Sequence, residues 1–172
     1  RTESPLSDES MPMNALYHGS ELCEVDADGS VAVPAFLAAA LPPEASPEII
    51  VAKHQADSCL VGYDRAHLAT LAERAERRRL AEEEQGAEAR DHYRRMRDTF
   101  GLSERMRRDA KGLRIPAAMR HLGRIGDLAL FVGAGDSFEI WNPALALESG
   151  DEHFRALAEF RLRMRGSRSK GV

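Results

Sequence analysis

The sequence predicts an α+β fold in which two pseudo-symmetric β-rich repeats flank a helical hairpin and a further helix closes the chain. Three observations predict it. Segments of like order recur at a nearly constant offset, the hydrophobic period changes from strand-like to helical at Arg65, and it becomes helical again after Gly150. The division that follows is a leader over 1–14, a first repeat over 15–64, the hairpin over 65–101, a second repeat over 102–147, and a C-terminal helix and tail over 148–172.

The leader is rich in Ser, Glu, Asp and Pro and has no period, the composition of a disordered segment. Ala15 to Val25 alternates loosely as a first strand. Asp26-Ala27-Asp28-Gly29 is a turn, with Gly29 supplying positive φ, and Ser30 to Val33 is a strand leading out of it. Pro34 to Leu41 is rich in Ala and Leu. Proline at a first helical position gives up only an N–H that has no partner there, and Pro42-Pro43 ends the helix. Ile49 to Ala52 and Cys59 to Tyr63 are short apolar runs that read as strands.

The same parts return in the same order. Asp109-Ala110-Lys111-Gly112 leads into Leu113-Arg114-Ile115-Pro116, a helical run to Leu122, then Leu128 to Val132 and Ser137 to Trp141. The offset is 83 residues at the Asp, 82 at the Pro and 78 at the final aromatic, so small deletions separate the copies.

Between the copies, Leu68, Leu71, Ala72, Ala75 and Leu80 recur at helical spacing, with charged residues on the other faces. Gly86 breaks this helix. Ala87 to Phe100 forms a second one, with Tyr93, Met96 and Phe100 as buried positions and Gly101 as its C-cap. After the second copy, Pro143 to Leu147 is a helical turn and Glu152 to Met164 a last helix with Phe154, Leu157, Ala158 and Phe160 as apolar positions. Arg161, Arg163 and Arg165 suit its C-terminal end through the helix dipole, and residues 166–172 form a basic, mobile tail.

On these residues, and above all on Phe131 to Pro143 with its Phe-Glu-Ile-Trp-Asn-Pro ending, the sequence resembles the MraZ family of bacterial transcription regulators of the division and cell-wall gene cluster. The resemblance covers residues 16–147. It implies two AbrB-like repeats with a swapped-hairpin β core, ring-like homo-oligomers, and sequence-specific binding of double-stranded DNA at repeated promoter sites of that cluster. It also implies a cytoplasmic, nucleoid-associated protein. The family pattern is Asp-x-x-Gly-Arg in each repeat, the Asp holding the loop and the Arg reaching DNA. Here Asp26, Gly29, Asp109 and Gly112 match as loop-shaping residues, whereas Ser30 and Leu113 stand where the Arg belongs. Arg114 is the nearest substitute in the second copy, and a one-residue displacement along a strand moves a side chain to the opposite face. Arg107, Arg108, Lys111 and Arg114 are the candidate DNA-contacting residues.

Charge points the same way. The net charge of −4 hides a division: residues 1–64 carry two basic side chains against eleven acidic ones, and residues 65–172 carry 22 against 17. Between Gly101 and Arg124 seven basic residues (Arg105, Arg107, Arg108, Lys111, Arg114, Arg120, Arg124) accompany only Glu104 and Asp109. Phosphate contacts dominate nonspecific DNA affinity, so a duplex is drawn to the later half and repelled by the earlier one. The bland alternative is a solvated strand edge on which charges deter unwanted pairing.

Catalytic signatures are missing from the sequence. It has no P-loop, GxGxxG or GxSxG pattern, and His18, Glu21 and Cys23 match no ligand or triad spacing. Cys23 and Cys59 lie 36 residues apart with no CxxC and read as buried thiols. His54, His67, His92, His121 and His153 read as scattered surface residues, and Gly133 to Asp136 as a hairpin turn. No run approaches the ~20 apolar residues of a membrane span. The expectation is a protein with no enzymatic activity, metal or cofactor. Its alternative function is non-catalytic: an oligomeric assembly or partner-binding protein, acting through the helical hairpin, that has lost DNA recognition.

Overall fold

The computed structural model describes residues 16–41 and 48–169. The predicted leader and the Pro42-Pro43 stop lie outside them. The short apolar runs become β1 (Ser20–Glu24), β2 (Ser30–Val31), β3 (Ile49–Lys53), β4 (Leu60–Asp64), β5 (Ser103–Asp109), β6 (Gly112–Arg114), β7 (Leu128–Gly133) and β8 (Phe138–Trp141). They form one antiparallel sheet in the order β1-β7-β8-β4-β3-β5-β6-β2. Three hairpins, β3–β4, β5–β6 and β7–β8, join sequence neighbours. The other ladders, β1–β7, β2–β6, β3–β5 and β4–β8, each join a strand from before Arg65 to one from after Gly101. The ends of the order, β1 and β2, are neighbours along the chain through the Asp26 turn, where the Asp26 N–H donates to the Ser30 carbonyl at 2.9 Å. The sheet is therefore nearly closed on itself.

Alternation along these strands puts Val31, Val51, Leu60, Leu113, Phe131, Phe138 and Ile140 into one central cluster with Leu37 and Ile115. Tyr17 meets Phe138 edge-on at 5.3 Å. Ile49 to Ala52 do not alternate, because both faces of β3 are covered. Ile49 and Val51 join the central cluster, while Ile50 and Ala52 lie with Tyr63 beneath Leu68 and Leu71. A third cluster, with Leu130, Trp141 and Ala158, seats the last helix on the sheet.

Six helices are described: α1 (Ala35–Ala40), α2 (Arg65–Glu84), α3 (Ala89–Met96), α4 (Ala117–Gly123), α5 (Pro143–Ala146) and α6 (Glu152–Ser169). Pro34 (ψ 139°) and Pro116 (ψ 147°) precede α1 and α4 as N-cap residues and do not begin them, because the chain is still extended as it leaves β2 and β6. Pro143 does begin α5, with the Asn142 side chain accepting from the Ala144 N–H at 2.9 Å. The Asp64 carboxylate caps α2 at the His67 N–H, 2.9 Å away.

Several expectations for the helices fail on geometry. The second helix of the hairpin ends at Met96 and passes through one π-helical turn, Arg97–Gly101, whose C-cap is Leu102 and not Gly101. Tyr93 is 68% exposed, because α3 faces α2 through His92, Arg95 and Met96. Leu80 is 48% exposed, near the C-terminal end of α2. Phe160 is 49% exposed; at ~100° per residue it stands nearly opposite buried Ala158. The helical ladder of α6 continues through Ser169, so the predicted mobile tail is helical over 166–169, and its last three residues lie outside the description.

Candidate nucleic-acid interface

The two Asp-x-x-Gly turns, 83 residues apart in sequence, meet in space. Main-chain pairing sets Ser30 opposite Arg114 and Val31 opposite Leu113 across β2–β6, then Arg114 opposite Arg107 and Leu113 opposite Arg108 across β6–β5. Val31 and Leu113 belong to the core, so Ser30, Arg114 and Arg107 form a row on the other face. Arg114 thus shares the face of Ser30, from the neighbouring strand. Arg108 lies on the opposite face, and Lys111 sits in the turn itself.

Each turn closes over the chain of the other half. The Gly29 carbonyl accepts from the Ile115 N–H at 2.9 Å, and Arg120 of α4 donates to the Ala27 carbonyl at 3.3 Å. Gly29 and Gly112 both hold positive φ, 86° and 121°. A Cβ on Gly29 would stand 2.5 Å from the Ile115 carbonyl oxygen, and one on Gly112 would run into that of Val31. In the second turn the Asp109 carboxylate holds the loop by accepting from the Lys111 N–H at 2.8 Å. In the first turn that bond belongs to Asp28, which accepts from the Ser30 N–H at 3.0 Å, while Asp26 closes the turn through its backbone.

The electrostatics differ from the separate acidic and basic poles that the sequence suggests. Asp28 of the first turn lies 3.3 Å from the Arg114 guanidinium and 3.8 Å from the Lys111 ammonium, and Asp109 reaches the same Arg114 nitrogen at 3.3 Å. The Ser30 N–H, followed by the charges of Lys111 and Arg114, holds the Asp28 carboxyl below its ordinary range. Arg105 is tied to Glu48. Arg107 and Arg108 are exposed, and neither forms an ion pair with another described residue. An open groove of about 740 Å³ runs along this ladder, lined by Arg105, Arg107 and Arg114 and flanked by Glu48 and Glu104.

Elsewhere the fold assembles one group that the spacing did not reveal. Donor atoms of His54, Cys59 and Glu139 lie within 4.8 Å of one another, brought together by the β3–β4 turn and β8. The ring does not suit a metal as it stands. His54 Nδ1 accepts from the Asp57 and Ala56 N–H groups at 2.9 and 3.2 Å, which puts the proton of the neutral ring on Nε2. That nitrogen faces Glu139 at 3.7 Å, and burial raises the Cys59 thiol well above its ordinary range. Of His18, Glu21 and Cys23, Glu21 accepts from the Ala35 N–H at 2.8 Å and Cys23 is buried. His67 is not a surface residue: it is 9% exposed, packs on Tyr63 and lies 3.4 Å from Asp136.

No family model matches the chain. Over 127 residues, 73% of this chain and 78% of the relative, it is 35% identical to the transcriptional regulator MraZ of Rhodospirillum rubrum. Among the described residues, no helix is long and apolar enough to cross a membrane.

Proposed function

The chain belongs to the MraZ family, and on that premise we propose that it is a sequence-specific, DNA-binding transcriptional regulator that reads repeated promoter sites as a ring-like homo-oligomer. The observation that carries this is the β2–β6–β5 ladder, which presents Arg107, Lys111 and Arg114 around one tight turn. A two-stranded ribbon fits the major groove, and the planar fork of Arg fits guanine edges and phosphates. Arg108, on the other face, would contact the flanking backbone.

The proposal extends to the fold. Exchanging β1 to β4 for β5 to β8 returns the observed set of ladders, except that the counterpart of β5–β6 is reduced to the Asp26–Ser30 bond. This supports two AbrB-like repeats over 15–64 and 102–147 that lend strands to one another. At this ladder Arg105, Lys111 and Arg114 are already paired with acids, so several subunits on repeated sites multiply weak contacts. A cytoplasmic, nucleoid-associated protein without catalysis or cofactor completes the proposal.

The test is fluorescence anisotropy of a labelled duplex from the region upstream of the protein's own coding sequence, against a shuffled duplex, at about 50 and 200 mM salt. The native duplex should bind more tightly, affinity should fall steeply with salt, and Arg107→Ala and Arg114→Ala should each weaken it. Absent or equal binding to both duplexes overturns the proposal. The second reading, assembly without DNA recognition, is favoured by the exposed Leu80, Tyr93, Phe160 and Met164 on the helices. Both readings assemble, so the anisotropy distinguishes them: in the second, light scattering still finds an oligomer that persists in high salt and ignores Arg107→Ala, while neither duplex is preferred.

A further inference from the structure

We propose that Asp28 is an affinity-setting residue of the DNA site, an internal stand-in for phosphate that a duplex must displace from Arg114 and Lys111. This rests on the DNA-binding function proposed above and names how the chain tunes it.

Three observations carry the inference. Asp28 lies in the first half of the chain, yet its carboxylate sits 3.3 Å from Arg114 and 3.8 Å from Lys111, both of the second. It is held there, because its other oxygen accepts from the Ser30 N–H at 3.0 Å, whereas an ordinary surface acid wanders. Its neighbour Ser30 stands in the row with Arg114 and Arg107, so the first turn adds an anion to the site and no cation.

The direction of the effect follows from Asp109. Arg114 is bridged by both acids at equal distance, and Asp109 belongs to its own turn. Without the charge of Asp28, the guanidinium keeps its orienting partner and loses its competitor. Protonation does not relieve the competition at ordinary pH, since the carboxyl is held below its usual range. One unit charge at this distance in water corresponds to about a fivefold change in affinity.

Asp28→Asn tests this, because the amide oxygen still accepts from the Ser30 N–H while the charge is gone. Asp127→Asn is the control: the same charge, exposed beside the first turn, where its carbonyl accepts from the Val25 N–H, with no ion pair to Lys111 or Arg114. Both variants are first matched to the parent by urea unfolding. In the anisotropy assay at about 50 mM salt, Asp28→Asn should bind the upstream duplex about fivefold more tightly, with a salt slope steeper by up to about one unit, and Asp127→Asn should not. If the parent binds and Asp28→Asn binds equally or more weakly, Asp28 is no competitor and this inference falls while DNA binding stands. Equal gains from both variants would mean general charge repulsion and also overturn it. A silent parent overturns the DNA-binding proposal, and this inference falls with it even where Asp28→Asn binds. Failure of every variant overturns the DNA-binding proposal, and this inference with it.

Discussion

Gly29 and Gly112 each meet two demands at once, a positive φ and a position against a carbonyl of the opposite half of the chain. Gly135 holds φ 84° in the β7–β8 turn but has open space where its Cβ would be. Ala at Gly135 should therefore cost only the backbone term, about 1 kcal/mol, while Gly29→Ala and Gly112→Ala should each cost about 3 kcal/mol or more, read by urea unfolding. Titratable residues give a second expectation. Asp28, with its carboxyl lowered, contributes stability that is present above its ordinary value of 3.8 and is lost as pH falls through the lower folded value. Burial raises Cys23 from 9.0 to about 12 and Tyr17 from 10.0 to about 12, so their contributions are complete below those ordinary values and decline as pH rises toward 12. The unfolding midpoint should be flat from about pH 5 to 8 and fall above about pH 9; a midpoint that rises there contradicts the burial of these groups. The turn glycines were legible in the sequence because an Asp-x-x-Gly turn is local. The Asp28–Arg114 pair was not, since it spans 86 residues and only strand pairing creates it.

The charged hairpin and the sheet earn their stability in different ways. Along α2, Arg79 bonds Glu76 at 2.6 Å and also pairs with Glu83, while Arg95 of α3 pairs with Glu82, all near the surface. Such pairs are screened and contribute little, so Arg79→Ala should leave the urea midpoint within error of the parent. Phe138 in β8 is fully buried between Tyr17 and Phe131, and its ring fills the space beside Gly62 that a Cβ would need. Phe138→Ala should cost about 3–5 kcal/mol in the same assay. Element type was readable where a period ran long: Leu68, Leu71, Ala72 and Ala75 marked α2, and Gly86 (φ 73°) ended it. It failed at the margins. Pro34 and Pro116 suit both a first helical residue and the residue before it, and the π-helical turn after Met96 has no side-chain signature. Tyr93 and Phe160 follow a helical pattern whose phase is set by what the helix packs on, which a single sequence does not contain.

At the scale of the whole molecule, the interleaved sheet makes the two halves interdependent. Of the strands before Arg65, β1 pairs, among the described strands, only with β7 and β2 only with β6, while β3 and β4 border β5 and β8. A fragment ending at Gln85 keeps only the β3–β4 ladder of the described sheet, and an isolated two-stranded hairpin is at best marginal in water. The complementary fragment, beginning at Gly86, keeps β5–β6 and β7–β8 but not the β3 and β4 strands that join them into one sheet. Neither can complete the central cluster, which draws Val31, Val51 and Leu60 from one half and Leu113, Phe131 and Phe138 from the other. Each fragment alone should therefore lack the dispersed amide spectrum of a folded protein. Mixed at equal concentration, the two should regain it, because the α2–α3 connection is the one covalent link between the halves and lies outside the sheet. The recovered complex should unfold in one transition whose midpoint rises with concentration. A first-half fragment that folds by itself would show that the cross-half ladders decorate a domain already complete, and would remove the physical reason for the two turns to form a single site.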